Sequence, residues 1–200
     1  MSEPKTLLQL AGADLEPAKL NGASLILIDM QYEYLEGPIA VTDAAAAIAH
    51  AKSLLENARE AGSPVIHVAH KGRAGSLFDR DAKRGQIVDE LAPMAGEITV
   101  EKSLPNAFAG TQLQAQISNT DSGRNDLILC GFMTHMCVSS TARAALDLGY
   151  RVTIDADSCG TRDLPDGRGS VIEASTLHNV ALVELSDRFA VIARDHRWLE

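Results

Sequence analysis

The sequence has 200 residues, a hydrophobic content of 46% and an aromatic content of only 4%, and it carries a formal net charge of −9 at pH 7. This acidic balance disfavours nucleic acid and anionic membrane surfaces as partners. No apolar run reaches the roughly 18 residues that span a bilayer, and three cysteines do not suggest a disulfide framework. We therefore expect a cytoplasmic protein with one domain over residues 1–200, in which residues 1–20 form an N-terminal extension.

Strand and helix patterns alternate along the chain. Aliphatic runs predict six strands, at residues 24–29, 64–69, 97–100, 127–130, 151–155 and 189–193. Helical patterns lie between them, at residues 43–61, 110–120, 136–148 and 170–185, with Asp43 as the first N-cap and Gly62 as its end. Strands separated by helices favour a parallel sheet with right-handed crossovers. The sequence thus predicts an α/β fold, a three-layer α/β/α sandwich with a six-stranded, mainly parallel, doubly wound sheet.

Three reactive side chains fall at the carboxyl ends of predicted strands. Asp29 ends the first strand, Lys102 lies just past the third, and Cys137 follows the fourth. Open parallel sheets bind ligands beyond the carboxyl ends of their strands, near the switch point. We therefore expect these three residues to share one cleft.

Cys137 lies where the first turn of an Ala-rich helix is predicted, with Thr134 or His135 as the N-cap and Gly149 as the end. The free amides and the positive dipole end of a helix start favour a thiolate over a thiol. The preceding turn also offers backbone N–H groups that can hold an oxyanion. The alternative interpretation is a small apolar residue that packs the helix against the sheet.

The three residue types suit hydrolysis through a covalent intermediate. Asp29 can take the thiol proton of Cys137 and pass it to a leaving amine, provided that burial raises its pKa. Lys102 then balances the negative charge of carboxylate and thiolate. The structural alternatives are that Asp29 caps the following turn and that Lys102 is a surface cation.

Three segments resemble the isochorismatase-like cysteine hydrolases, which include nicotinamidases and carbamoylsarcosine amidases. They are LILIDMQYEYLEG around Asp29, VEKSLPNAFAGTQL around Lys102, and LILCGFMTHMCVSSTARAALDLGYRVTIDADSCGTRD around Cys137. The resemblance implies a catalytic triad of Asp29, Lys102 and Cys137 and a cis peptide bond between Phe132 and Met133. It also implies an oxyanion hole formed by the Met133 and Cys137 amides, and a homo-oligomer, a dimer or larger.

No metal and no other cofactor is predicted. Nicotinamidases of this family carry an Asp-x-His pattern and a further His after the second strand, whereas this chain has HVAHKGRAGSLFDRD there. His67 and His70 are three residues apart on a strand, so their side chains point to opposite faces. We expect His67 to face the core and His70 to line the pocket.

The expected partner is a small molecule with an amide, ureide or lactam C–N bond. Members of the family that cleave a vinyl ether lack the cysteine, so Cys137 favours C–N hydrolysis. Ether hydrolysis and a catalytically silent binding scaffold are the alternatives. The candidate substrate-binding residues are Tyr34, His70, Phe78, Phe108 and Thr134, whereas Cys130 and Cys159 are expected to be structural.

Overall fold

The computed structural model describes residues 3–120 and 125–199. Its central sheet has six parallel strands in the order β3-β2-β1-β4-β5-β8. A two-stranded antiparallel hairpin, β6 and β7, lies outside this sheet. The strands are β1 (Ala23–Ile28), β2 (Val65–His70), β3 (Ile98–Lys102), β4 (Asp126–Phe132), β5 (Arg151–Gly160), β6 (Leu164–Pro165), β7 (Val171–Ile172) and β8 (Val191–Ala193).

Helices flank the sheet on the connections between strands, as the alternating pattern predicts. They are α2 (Glu33–Glu36), α3 (Ala44–Glu60), α4 (Leu113–Thr120), α5 (Ser139–Asp147) and α6 (Ala174–Arg188), and a π-helical turn (Thr134–Val138) leads into α5. A further short helix, α1 (Leu7–Leu10), precedes β1. Short 3₁₀ turns occur at Leu20–Gly22, Lys83–Gly85, Asp89–Leu91 and Arg197–Leu199. None of the helices in the described residues is long and apolar enough to cross a membrane. The predicted α/β fold with a parallel, doubly wound sheet is confirmed.

The switch point of the sheet lies between β1 and β4. From β1 the chain moves outward to β2 and β3, and from β4 it moves outward in the other direction to β5 and β8. The carboxyl ends of β1 and β4 therefore lie side by side at the position where such sheets bind ligands. Asp29 follows β1, and the turn with Cys137 follows β4.

Gly131 allows β4 to approach β1 closely at this edge. Its φ is +126°, and a Cβ built there would lie 2.0 Å from the Ile28 carbonyl oxygen. Only glycine tolerates both the conformation and the contact. The pairing of β4 with β5 also shifts register between Leu129 and Gly131. Such an irregularity changes the direction of the strand, here just before the turn that contains Cys137.

Several element boundaries differ from the sequence-based prediction. The last helix begins at Ala174 rather than 170, because Val171–Ile172 pairs with Leu164–Pro165 as a hairpin. Strand β5 continues to Gly160, since its second half pairs with the end of β4. Asp43 does occupy the N-cap of α3, but its φ is +54° and its side chain makes no capping hydrogen bond.

The N-terminal segment packs along β5 and α6. The Leu7 amide donates to Asp187 Oδ1 at 2.8 Å, and the Ala18 amide donates to Thr153 Oγ1 at 2.9 Å. Arg151, at the start of β5, pairs with Asp14 at 3.5 Å. These contacts extend the packed structure N-terminal to the sheet.

A cluster of charged and polar side chains joins β2 to α3 and to the residue before β3, with His67 buried and Arg59 and Glu97 partly exposed. His67 is buried, as predicted, and its Nε2 lies 2.9 Å from Glu97 Oε2. Arg59 donates to both Glu97 oxygens, at 2.7 and 2.9 Å, and the Met94 amide donates to Oε2 at 2.8 Å. Burial raises the pKa of Glu97, but these donors outweigh it and bring the pKa to about 2.

Replacing Glu97 with Gln should destabilise the protein at neutral pH, by about 1–3 kcal/mol, because it removes the negative charge and turns one of two acceptor oxygens into a donor that faces Arg59. The folded pKa lies below its ordinary 4.5, so the charge stabilises above that pH and this stability is lost as the pH falls toward 2. Urea unfolding between pH 7 and pH 2.5 measures both effects, and the variant should show a flatter acid dependence. The exposed Glu56→Gln is the matched control; equal losses for the two variants would contradict the assignment.

Candidate active site

Asp29, Lys102 and Cys137, which we call the triad, meet at the carboxyl edge of the sheet. The Lys102 Nζ lies 2.6 Å from Asp29 Oδ2 and donates to the Cys137 sulfur at 3.3 Å. The Asp29 and Lys102 side chains are fully buried, and Cys137 is 3% exposed. Lys102 is therefore not a surface cation, and the three residues form one buried ionisable cluster.

The backbone on either side of the switch point fixes two members of the triad. Asp29 has a φ of +53°, a conformation that non-glycine residues rarely adopt, and its amide donates to the Val68 carbonyl at 2.8 Å. Cys137 lies in the π-helical turn, where the Val138 amide donates to the Met133 carbonyl five residues back at 3.3 Å. Single π turns within helices often occur at functional sites.

The N-cap of this turn is Met133 rather than Thr134 or His135. The Thr134 hydroxyl is engaged elsewhere, since it donates to the Gly160 carbonyl at 3.1 Å and contacts His178 Nδ1 at 2.8 Å. Likewise, His135 Nδ1 lies 2.6 Å from Thr161 Oγ1. Both side chains therefore tie the turn to β5 and α6 instead of capping it.

The turn also carries the predicted oxyanion donors. The peptide bond between Phe132 and Met133 is cis, as the family resemblance implies. Within residues 3–120 and 125–199, no acceptor takes the Met133 N–H. The Met133 amide is thus available as a donor, and the Cys137 amide lies in the turn that follows it. Their role as an oxyanion hole stays a prediction.

Burial controls the electrostatics of the triad. Burial and, to a smaller extent, the Asp29 charge raise the pKa of Cys137, Lys102 offsets them only in part, and the net pKa is about 12. Burial also raises the pKa of Asp29, against the lowering effect of Lys102. The expectation that the helix start favours a thiolate is therefore wrong, because burial and the Asp29 charge outweigh the effect of the helix start on the pKa of Cys137.

An aromatic cluster stands beside the triad. The Tyr34 ring lies 5.3 Å from Phe78 and 5.6 Å from Phe132, and the His70 ring lies 4.7 Å from Phe78. Burial raises the pKa of Tyr34, and the negative charges of Asp29 and Cys137 add to that rise, so Tyr34 lies within their electrostatic reach. Three of the predicted pocket residues, Tyr34, His70 and Phe78, are thus brought together.

The structure does not bring Phe108 to this cluster. Its ring stacks on Tyr150, the residue before β5, at 5.9 Å. The Ala107 amide donates to Thr141 Oγ1 at 3.1 Å, which holds the loop after β3 along α5. Phe108 is therefore a loop anchor, and the prediction that it lines the pocket is not supported by this placement.

Two residues near the site were missed by sequence reasoning. Buried Gln31 bonds to both backbone groups of His70 and to the Gly85 carbonyl. A polar residue two positions after Asp29 was a signal for it. Arg162 follows β5 by two residues, and its positive charge adds to the effect of burial in lowering the pKa of His135.

Arg162 has no acidic partner within ion-pair distance in the described part of the chain. Its buried Nε also lacks a hydrogen-bond partner. The Arg162 charge partly opposes the rise in the pKa of Tyr34, so it reaches the aromatic cluster electrostatically. Nothing in its local sequence distinguished it, because its neighbours come from distant segments.

A cleft of about 310 Å³ lies between α3, the end of β5 and α6, and the triad does not line it. Cys159 borders this cleft, whereas Cys130 is fully buried; all three cysteines are free thiols.

Among the residues that the structure describes, no group of three or more His, Cys, Asp or Glu side chains is arranged to hold a metal ion.

Residues 23–195 match the family model of the isochorismatase domain. The chain belongs to the isochorismatase family. A crystal structure of an isochorismatase from Pseudomonas putida shares 44% identity and a TM-score of 0.91, over 96% of this chain and 97% of that one. The secreted isochorismatase effector Isc1 of Verticillium dahliae is 37% identical, over 92% of this chain and 93% of that protein. Ureidoacrylate amidohydrolase RutB of Stutzerimonas stutzeri is 28% identical, over 70% of each.

Replacing Asp29 with Asn should lower the apparent pKa of Cys137, because the negative neighbour is removed while Lys102 remains. The rate of iodoacetamide alkylation at Cys137, followed by peptide mapping from pH 6 to pH 10, reports the thiolate fraction and therefore the direction in which that pKa moves. Lys102→Met should shift it in the opposite direction. Cys159 in the same digests is the internal control. An unchanged or raised pKa in the Asp29→Asn protein would show that Asp29 does not face the thiol as a carboxylate.

Proposed function

We propose that this isochorismatase-family hydrolase cleaves a C–N bond of a small molecule through a thioester on Cys137. The observation that carries the proposal is that the Lys102 ammonium contacts both the Asp29 carboxylate and the Cys137 sulfur inside a buried site. A nucleophile, a base and a cation are thus within reach of one another. A relative that is called an amidohydrolase supports C–N chemistry.

In the acylation half, the Cys137 sulfur attacks the substrate carbonyl carbon while Asp29 accepts the thiol proton. The negative oxygen of the tetrahedral intermediate lies at the Met133 and Cys137 amides. The intermediate collapses with cleavage of the C–N bond, and Asp29 returns the proton to the leaving nitrogen. The products of this half are the free amine and a thioester on Cys137.

In the deacylation half, a water molecule attacks the thioester carbonyl while the Asp29 carboxylate takes its proton. Collapse of the second tetrahedral intermediate releases the acid, and Asp29 returns the proton to the Cys137 sulfur. A carboxylate with a raised pKa suits this repeated transfer, because it is a stronger base than a carboxylate with an unshifted pKa. The Lys102 ammonium stabilises whichever partner is negative, because it contacts both Asp29 and Cys137.

Ether hydrolysis is the second candidate, because two close relatives carry the name isochorismatase. That chemistry needs no covalent bond to sulfur. The two candidates therefore differ in a single measurable requirement, the Cys137 thiol.

Cys137→Ala should abolish turnover of an amide or ureide found by screening, because no thioester can form. Asp29→Asn should reduce kcat by about 10²–10⁴-fold, the usual value of general acid–base catalysis. Intact-protein mass spectrometry during turnover should detect an acyl adduct on the wild type that maps to Cys137. Cys130→Ala is the matched control and should retain activity. Full activity of Cys137→Ala on the amide would overturn the thioester route, and turnover of isochorismate by Cys137→Ala would favour ether hydrolysis instead.

We further propose that the substrate carries an anionic group, which Arg162 binds. Its guanidinium has no acidic partner among the described residues, and its charge reaches both His135 and the aromatic cluster. A guanidinium is suited to bind a carboxylate through two hydrogen bonds. Such a contact would orient the substrate with its C–N bond toward Cys137.

Arg162→Met should lower kcat/KM for an anionic amide by about 10–100-fold, the equivalent of a charge-assisted hydrogen bond of about 1.5–3 kcal/mol. Succinamate and butyramide form a suitable substrate pair, since they have similar size and differ by one carboxylate. The loss should appear with the first and not with the second. The exposed Arg168→Met is the control. Equal losses with both amides would refute charge recognition by Arg162.

The compartment and the assembly state remain proposals. Three free cysteines suit a reducing compartment and support a cytoplasmic location, although one relative is a secreted effector. The homo-oligomer is supported by the family resemblance together with exposed valines on α6, Val180 and Val183.

A further inference from the structure

The Lys102 ammonium has a third neighbour besides Asp29 and Cys137. The His70 Nδ1 lies 3.3 Å from Lys102 Nζ, the same distance as the Cys137 sulfur. An ammonium carries three N–H donors and accepts nothing. Since the Lys102 side chain is fully buried, each donor needs an acceptor inside the protein. Asp29 supplies the opposite charge in an ion pair at 2.6 Å, and Cys137 and His70 supply hydrogen-bond acceptors.

This contact determines the form of the His70 ring. Lys102 can only donate, so Nδ1 must be unprotonated and the ring proton must lie on Nε2. Burial and the Lys102 charge both lower the pKa of His70, to about 4, which keeps the ring neutral. His70 is therefore an acceptor at this site and not a second cation.

Strand pairing and the Gln31 side chain together fix the position of the His70 backbone. It pairs with Lys102 in the register of β2 and β3. Its amide donates to Gln31 Oε1 at 2.8 Å, and its carbonyl accepts from Gln31 Nε2 at 2.9 Å. Gln31 is two residues from Asp29, so the segment that carries Asp29 also holds the His70 backbone by hydrogen bonds. The Phe78 ring packs against the imidazole.

We propose that His70 is a positioning residue of the triad: its neutral imidazole binds one Lys102 proton and so directs the other two to Asp29 and Cys137. This role replaces the expectation that His70 mainly contacts substrate. It builds on the proposed function, because the directed protons matter only if the triad performs catalysis. Without the third acceptor, the ammonium would rotate or shift, and its contact with the sulfur would weaken.

The first test compares His70→Leu with His70→Asn, because Asn keeps an acceptor oxygen close to the Nδ1 position. His70→Leu should lower kcat by about 10–100-fold, the scale of a displacement of about 1 Å in an active site, with KM changed less than threefold. His70→Asn should recover most of kcat. His50→Leu, on the exposed face of α3, is the matched control and should behave like the wild type. Equal kcat values for the Leu and Asn variants, or a change in KM alone, would overturn the proposal.

The second test needs no substrate and no variant. Long-range ¹H–¹⁵N correlation spectra of the ¹⁵N-labelled wild type should show the His70 ring with its proton on Nε2 between pH 6 and pH 8. A proton on Nδ1 would overturn the proposal. This measurement decides the matter if the Leu variant fails to fold.

A third measurement separates failure of the inference from failure of the proposed function. His70→Leu should raise the apparent pKa of Cys137 in iodoacetamide labelling, because Lys102 stabilises the thiolate less, and His70→Asn should restore it. If Cys137→Ala retains full activity while these shifts are observed, the thioester mechanism is wrong and the positioning of Lys102 stands. If Cys137→Ala is inactive and the pKa does not change in His70→Leu, the inference is wrong and the mechanism stands.

Discussion

The buried ammonium of Lys102 is the constraint on which the rest of the site depends. Removing an ion from water costs several kcal/mol unless charge and hydrogen bonds replace the lost hydration. Asp29 supplies the opposite charge at 2.6 Å, and Cys137 and His70 supply the remaining acceptors. Because no single segment can provide all of these groups, the sheet must bring four strand ends into one place.

Main-chain pairing is what brings them together. Ile28 pairs with Val68 on one side and with Gly131 on the other, and His70 pairs with Lys102. Hydrogen bonds along these strands therefore set the positions of the reactive side chains, rather than the looser geometry of long loops. A rigid arrangement of this kind suits a reaction in which one proton passes repeatedly between neighbours.

Relative magnitudes explain why the pKa of Cys137 is raised although the residue lies at a helix start. A helix start stabilises a negative group by about 0.3–1 kcal/mol at an exposed position. Moving the pKa of Cys137 from 9.0 to about 12 corresponds to several kcal/mol. Burial and the Asp29 charge therefore outweigh the helix start. The local pattern around Cys137 correctly indicated a helix, but it carried no information about how deeply the sulfur is buried.

The sequence by itself determined the class of fold and the identity of the triad. Alternating strand and helix patterns fix a parallel sheet, and residues that follow strands in such a sheet must share its carboxyl edge. The tertiary structure alone decided the contacts: Thr134 bonds to Gly160, Phe108 stacks on Tyr150, and His70 accepts from Lys102. The physical reason is the sequence separation over which each kind of interaction acts. Periodicity and capping act over a few residues, whereas these contacts join segments 26 to 42 positions apart, which only strand register and packing bring together.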